Sequence, residues 1–175
     1  MKVSIITPCL NSELTIGDCI RSINRQDYPD IEHVIVDGGS SDGTLATVRD
    51  LDGRKPILLT GQDEGIYDAM NKGIQAASRE IIGILNSDDM YNRRDVVSQV
   101  VRLFQVPQTG VVFGDLHYVK RNDLDTTTRY YSSAHFKCYK FRFGFMPAHP
   151  AMFIRKRVYE KYGYYRVRLQ NSGRF

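Results

Sequence analysis

The sequence predicts an α/β fold, a doubly wound and mainly parallel sheet flanked by helices. Three observations carry that expectation. Short apolar, β-branched runs recur along the first two thirds of the chain, and they are continuous, as in strands buried on both faces. Stretches with helical apolar spacing separate them. The resulting βαβαβαβαβ order has strands and helices of ordinary length up to about Asp115, which suits parallel strands joined by crossover helices.

The first strand is expected at residues 3–7, VSIIT, with Pro8 stopping it. Ser12 can cap the following helix, in which Leu14, Ile16, Ile20 and Ile23 make an apolar stripe before Tyr28, Pro29 and Asp30 break the chain. A second buried strand falls at 32–36, followed by DGGSSDGT and a helix from about Leu45; residues 56–60 make a third strand. The helix at 66–77 is entered through a glycine and gathers Ile66, Met70, Gly73, Ile74 and Ala77 on one side. The fourth strand, 81–85, lies within EIIGILNSDD, and the next helix carries Val96, Val97, Val100, Val101 and Phe104.

After Asp115 the alternation lapses into a smaller α+β portion. Residues 117–120 and 126–131 read as antiparallel strands around a polar turn, and a last strand at 150–154 leads into a helix at 156–162. Between them lies the basic, aromatic stretch FKCYKFRFGFM. Phe141, Phe143 and Phe145 alternate there as a half-buried strand does, although interleaved aromatics and cations also suit nucleic acid or an anionic membrane surface. The strand is the preferred expectation, and no nucleic-acid partner is expected.

At 175 residues and 42% hydrophobic content, the chain can bury one sizeable core. Its apolar runs are far shorter than the roughly 18–20 residues that span a bilayer. The opening MKVSIIT lacks the pattern of a secretory leader, so a cytoplasmic location is expected. Cys9, Cys19 and Cys138 stand at no metal-ligand spacing and read as reduced core thiols. The net charge of +4 hides an asymmetry: residues 1–115 hold 11 Lys+Arg against 17 Asp+Glu, residues 116–175 hold 13 against 3. Such polarity suits a phosphate-bearing partner, or simply a solvated basic face.

In open α/β sheets ligands bind at the carboxyl ends of the strands. The chain has neither GxGxxG nor GxxxxGK[ST], which disfavours redox dinucleotides and P-loop chemistry. What stands at the strand ends is acidic and small: Thr7 and Asn11, Asp37 with Gly38 and Gly39, and Asn86, Asp88 and Asp89. Asp37 could accept hydrogen bonds from a base or ribose, or merely form a turn; Ser40 and Asp42 read as turn and cap residues. Asp88 and Asp89 could open the next helix, but paired carboxylates repel without a cation, which favours Mg²⁺ or Mn²⁺.

Four segments in order, VIVDGGSSDGT at 34–44, DEGIYDAMNKGI at 63–74, LNSDD at 85–89 and HPAMF at 149–153, resemble family 2 glycosyltransferases with the Rossmann-like GT-A fold. They look most like bacterial enzymes that build capsule, exopolysaccharide and O-antigen. The resemblance implies a metal-dependent, inverting sugar transfer from a UDP- or GDP-sugar to a saccharide or lipid-linked saccharide acceptor. It also implies a place in the cytoplasm with peripheral contact at the inner membrane face. One GT-A domain over 1–175 is implied, with a nucleotide-sugar-binding half at 1–115 and an incomplete acceptor-side half at 116–175.

By the same resemblance Thr7, Pro8 and Asn11 line the nucleotide, and Asp37 reads the base. Asp63, Gly65, Asn71 and Lys72 belong to a segment closing over ribose and phosphates. Asp88 touches ribose or metal, Asp89 touches metal or sugar, and His149 approaches the acceptor or diphosphate. Lys72 reads equally as a solvated helix lysine, and His149 as a structural residue. Asn86 departs from the family's DxD pattern at its first position. The family's acidic base motif is missing, since no Asp or Glu follows Glu160. The chain therefore reads as a truncated transferase whose base is expected beyond Phe175, or as a degenerate binder without turnover. Asp115 is the remaining weak candidate for the base.

Overall fold

The first strand, β1 (Val3–Cys9), is buried along its whole length, and its apolar residues face helices on both sides. The computed structural model describes residues 1–51, 53–144 and 146–167. In chain order β1 is followed by α1 (Ile16–Asn24), β2 (Ile31–Asp37), α2 (Thr44–Asp50), β3 (Ile57–Thr60), α3 (Ile66–Ala76), β4 (Ile81–Ile84), α4 (Val96–Phe104) and β5 (Val111–Phe113). Then come the hairpin β6 (Leu116–Lys120) and β7 (Asp123–Tyr131), and finally β8 (Met152–Arg155) and α5 (Lys156–Tyr162). The predicted alternation up to Asp115 is present element for element.

The main sheet has the order β3-β2-β1-β4-β8-β5, with β6 and β7 forming a separate two-stranded sheet. Strands β3, β2, β1 and β4 run parallel; β8 is antiparallel to β4 and to β5. Alternate residues of each strand enter different cores. Ile5 and Ile81 pack with Ile23 of α1 and Val97, Val101 and Phe104 of α4. Ile6 and Ile82 pack with Met70 and Ile74 of α3 and Tyr159 of α5. Helices thus cover both faces, which is why the parallel strands read as continuous apolar runs.

The insertion of β8 between β4 and β5 has a local cause in sheet packing. Gly83 is paired with Phe153, and a Cβ at position 83 would stand 2.7 Å from the Phe153 ring. The missing side chain lets the ring lie against the neighbouring strand. Arg155, itself buried, donates to the carbonyls of Thr109 (2.8 Å) and Phe104 (2.6 Å), tying the end of β8 to the end of α4.

Three local expectations need correction. Pro8 does not stop β1, which continues to Cys9. Pairing to β4 ends at Ile6, so Pro8 has only β2 beside it, where a missing N–H is tolerated. Ser12 is not a side-chain cap of α1; its carbonyl accepts from Thr15 and Ile16 in a turn ahead of the helix, and Leu14 is exposed. The stretch Cys138–Phe143 is a 3₁₀ helix and not a strand, with Phe143 72% exposed. Phe145 and residues 168–175 lie outside the described residues, as do the side chains of Cys138 and Phe141. Cys9 and Cys19 are free and buried, as expected. Among the described residues no helix is long and apolar enough to cross a membrane.

Helix α3 can approach β1 closely because of Gly73, where a Cβ would meet Ile6 Cγ2 at 2.3 Å and Val36 Cγ2 at 3.2 Å. Gly73→Ala is expected to destabilise the chain by about 1–3 kcal/mol, overpacking outweighing the helix gain of about 1 kcal/mol. Gly114→Ala, with nothing within 4 Å, is expected to stay within about 0.5 kcal/mol of the parent. Urea midpoints of the two variants check this.

Candidate functional site

The strand order reverses at β1, since β2 and β3 lie to one side and β4 to the other. Crevices at such switch points are where open α/β sheets bind ligands. Here the loops at the carboxyl ends of four strands converge on a cavity of about 840 Å³. Residues 8–15 come from the end of β1 and the loop after it, Gly38 and Asp42 from after β2, Asp63 and Gly65 from after β3, and residues 86–88 from after β4. Helix α3 contributes Ile66 and Ala69, and the β6–β7 hairpin reaches across with Arg121.

The loops are held by their own side chains. Asp37, fully buried, accepts from the backbone N–H groups of Gly39 (3.1 Å) and Ser40 (3.0 Å) and from the Ser40 hydroxyl. Asn11, at φ 49°, accepts from the Ser41 N–H at 2.9 Å, while its own N–H donates to Ser40 Oγ at 2.8 Å. Asp42 accepts from the Thr44 N–H (3.0 Å) and the Glu13 N–H (3.1 Å), joining the β1 and β2 loops at the entrance of α2. Glu13 returns the contact by accepting from the Gly43 N–H at 2.7 Å.

Of the residues singled out from the sequence, Pro8, Asn11, Asp63, Gly65 and Asp88 line the cavity. Thr7 and Asp37 do not. Both are excluded from solvent, and Thr7 shares a 3.0 Å hydrogen bond with His33 Nε2. Burial drives the His33 pKa down to about 3, so the ring in this wall is neutral. The Asp37 carboxylate, expected to read a base, closes its own turn. The Asn71 amide donates to the Tyr165 carbonyl (2.8 Å) and accepts from the Tyr165 N–H (3.0 Å). Lys72 is ion-paired with Asp63 (2.6 Å) and Asp68 (2.9 Å) and donates to the Gln62 carbonyl. Its ammonium lies against Asp63.

The loop after β4 concentrates the charge. Asp89 is pushed up to about 6, first by burial and then by the neighbouring Asp88. Asn86 Nδ2 donates to Asp89 Oδ2 at 3.0 Å and lies 3.2 Å from His149 Nε2. Burial holds the His149 pKa below its ordinary value, partly opposed by Asp88. Among the described residues no three His, Cys, Asp or Glu side chains form a metal cluster. Asn86 Oδ1, however, is a buried oxygen with no partner in the chain. With the carboxylates of Asp88 and Asp89 it makes a hard-oxygen set. That fits Mg²⁺ or Mn²⁺, which commonly take one or two carboxylates together with substrate phosphates.

Asp115 is placed outside this cavity. The Tyr130 hydroxyl and the Ser133 N–H (2.7 Å) both donate to it, and the Tyr130 bond in particular holds its carboxyl below the usual range. Glu13 and Arg121 are lining residues that sequence reasoning missed. Arg121 has no local signal, since the hairpin reaches the cavity through a 2.9 Å bond from its guanidinium to the Leu14 carbonyl, 107 residues away.

A sequence model of glycosyl transferase family 2 matches residues 4–163. A PGL/p-HBAD biosynthesis glycosyltransferase of Mycobacterium bovis is 30% identical over 169 residues, covering 94% of this chain; the chain spans 63% of that relative's length. Among solved structures, S. aureus TarS in complex with UDP-GlcNAc superposes with a TM-score of 0.73 at 22% identity, over 93% of this chain and 47% of that one. The mannosyltransferase PcManGT from Pyrobaculum calidifontis, in complex with GDP-Man and Mn²⁺, gives 0.72 at 22% identity, over 95% and 48%. At that identity the two structures establish the fold, a mostly parallel GT-A sheet.

The raised Asp89 carboxyl sets a pH dependence. A carboxyl whose folded pKa exceeds its unfolded value near 4 stabilises the fold at low pH, and that contribution is lost as pH rises through about 6. Asp89→Asn is therefore expected to flatten stability between about pH 4 and pH 6. In chelator at neutral pH it should stabilise the chain by about 1–2 kcal/mol, allowing for solvent screening of a half-buried group. Urea midpoints across that range, parent against variant, measure it.

Proposed function

The chain belongs to glycosyl transferase family 2, and from that premise we propose that its cavity binds the nucleoside diphosphate sugar, UDP- or GDP-linked, of a metal-dependent transfer. The sugar passes to an acceptor hydroxyl, with inversion, in the building of a surface polysaccharide. The acceptor is a saccharide or a lipid-linked saccharide, and the enzyme works in the cytoplasm with peripheral contact at the inner membrane face.

One observation carries the reading, the charge of the cavity. Glu13, Asp42, Asp63 and Asp88 line it, against Arg121 as the cation among the described lining residues. A diphosphate brought here alone meets mostly negative charge. A divalent ion held by the loop of Asp88 and Asp89 would offset most of that charge and would supply charge neutralisation for the departing diphosphate. The nucleoside then lies toward Pro8, Asn11, Gly38 and Asp63. Gly38 matters because the Asp63 carboxylate occupies the space beside it; a Cβ at 38 would stand 2.9 Å from Asp63 Oδ2. In this reading Asp63, oriented by Lys72, is the acceptor of hydrogen bonds from base or ribose, the role the sequence assigned to Asp37.

Single displacement needs a base to take the acceptor proton. Asp115, with both oxygens hydrogen-bonded and its pKa depressed, is a poor one. We assign the base to the part of the relatives' length that this chain does not span. The committed state of Asp115 equally favours a second reading, a nucleotide-sugar-binding module without turnover. Measurable sugar transfer by the 175-residue chain would dispose of it.

Calorimetric titration with UDP and with GDP, with and without Mn²⁺, tests the donor site. Binding of one nucleotide is expected to depend on Mn²⁺, and Asp88→Ala is expected to weaken it at least tenfold, or about 1.4 kcal/mol. Binding of neither nucleotide, or binding indifferent to the metal, sinks the proposal.

A further inference from the structure

A second cavity, of about 530 Å³, draws on the same parts of the chain as the one already described and has the opposite charge. The same three segments build both. The α1 segment gives Glu13 to the first cavity and Arg21 and Arg25 to the second; the β4–α4 connection gives Asp88 to the first and Arg93 and Arg94 to the second. The hairpin tip gives Arg121 to the first and Leu124 to the second. Four arginines thus line the second cavity, with Asp18 as the carboxylate among them.

Two of the four are neutralised. Arg21 pairs with Asp18 at 2.7 Å, and Arg93 grips Asp95 through Nε (2.9 Å) and Nη2 (2.8 Å). The other two are not. Arg94 Nε makes a long contact, 3.4 Å, to the Arg25 carbonyl, and no carboxylate among the described residues lies within ion-pair distance of Arg25 or Arg94. Both line the cavity, Arg25 at the end of α1 and Arg94 just ahead of α4. Like charges held close in a concave surface repel until an anion enters, and a guanidinium fork matches phosphate oxygens in a bidentate way. Met90 and Leu124 add apolar surface beside the cations.

We propose that this cavity is a phosphate-ester subsite, in which Arg25 and Arg94 hold the phosphate. The apolar residues carry the organic body of the ester. This inference goes beyond the donor-site proposal and does not depend on it. A free phosphate ester and a phospholipid headgroup share the required chemistry.

The test uses the 175-residue chain in chelator, so that no cation serves the acidic loop. Inorganic pyrophosphate is titrated calorimetrically, and in parallel the chain is co-sedimented with phosphatidylcholine vesicles containing phosphatidylglycerol and with vesicles of phosphatidylcholine alone. Saturable binding to pyrophosphate, or to the anionic vesicles and not the neutral ones, is expected. It should weaken at least tenfold in R25Q/R94Q and be retained in Asp88→Asn. Binding to pyrophosphate alone assigns a soluble ester, and binding to vesicles alone assigns a headgroup.

Arg25→Gln by itself serves if the double variant fails to fold, because the Arg25 guanidinium makes no bond to another described residue. R25K/R94K, which keeps charge but loses the fork, should fall between parent and R25Q/R94Q. No saturable binding to either probe overturns the proposal, as does binding unchanged by R25Q/R94Q or, where that does not fold, by Arg25→Gln. Loss of UDP or GDP binding bears on the donor cavity alone, so the two proposals fail separately.

Discussion

The carboxyl end of β1 is the point on which the site hangs. The Ile6 carbonyl accepts from the Leu85 N–H, and the Cys9 carbonyl accepts from the Gly38 N–H, both at 2.9 Å. One bond fixes where the chain leaves β4, the other where it leaves β2. Because β1 is buried along its length, each bond lies where an unpaired carbonyl costs about 1–3 kcal/mol. The loops that carry Asp88 and Asp42 therefore start from fixed positions on either side of the switch point. The cavity between them follows from the sheet order, and its lining follows from what those loops do with their polar groups.

That division of polar groups separates wall from lining. A buried polar atom has to find a partner within the fold. Thr7 finds His33, Asp37 finds Gly39 and Ser40, and Asn71 finds Tyr165. Thr7 and Asp37 are small polar side chains at the end of an apolar run, and Asn71 stands inside α3. Asp88 is different because it is exposed, and Asp63 because Lys72 crosses to it and leaves its other oxygen beside Gly38. The Cys9 thiol follows the first pattern: burial and the Asp37 carboxylate beside it push it up to about 12, so it stays protonated.

What could be read from the sequence was what depends on near neighbours. Apolar periodicity located the five crossover strands and the four helices between them, because burial of β1, β2 and β4 on both faces writes itself into consecutive residues. The segments at 63–74 and 85–89 were recognisable as site segments. The role of each residue in them was not, because it depends on partners far along the chain. Asn71 meets Tyr165 94 residues on, and Asn86 meets His149 63 residues on. The same limit hid β8: Met152–Arg155 reads as a strand, but its place between β4 and β5 is decided by the Phe153 ring fitting over Gly83. The arginine cavity was dispersed over α1, the β4–α4 connection and the hairpin, where each arginine looked like ordinary surface.

Asn86 shows how a departure from an expected motif can have a physical basis. Burial, and after it the neighbouring Asp88 carboxylate, already push Asp89 up to about 6. A carboxylate at position 86, where the amide nitrogen lies 3.0 Å from Asp89 Oδ2, would add a third like charge at contact distance. The amide donates a hydrogen bond there instead, which pulls the Asp89 carboxyl toward its charged form and partly offsets the repulsion. Its oxygen remains buried and without a partner in the chain, so it is desolvated before any ligand arrives. An amide at this position therefore lets two carboxylates stand together on one loop. It also leaves a third oxygen unpaired, a neutral donor that would add to the coordination of a bound cation without adding to the charge the loop must carry.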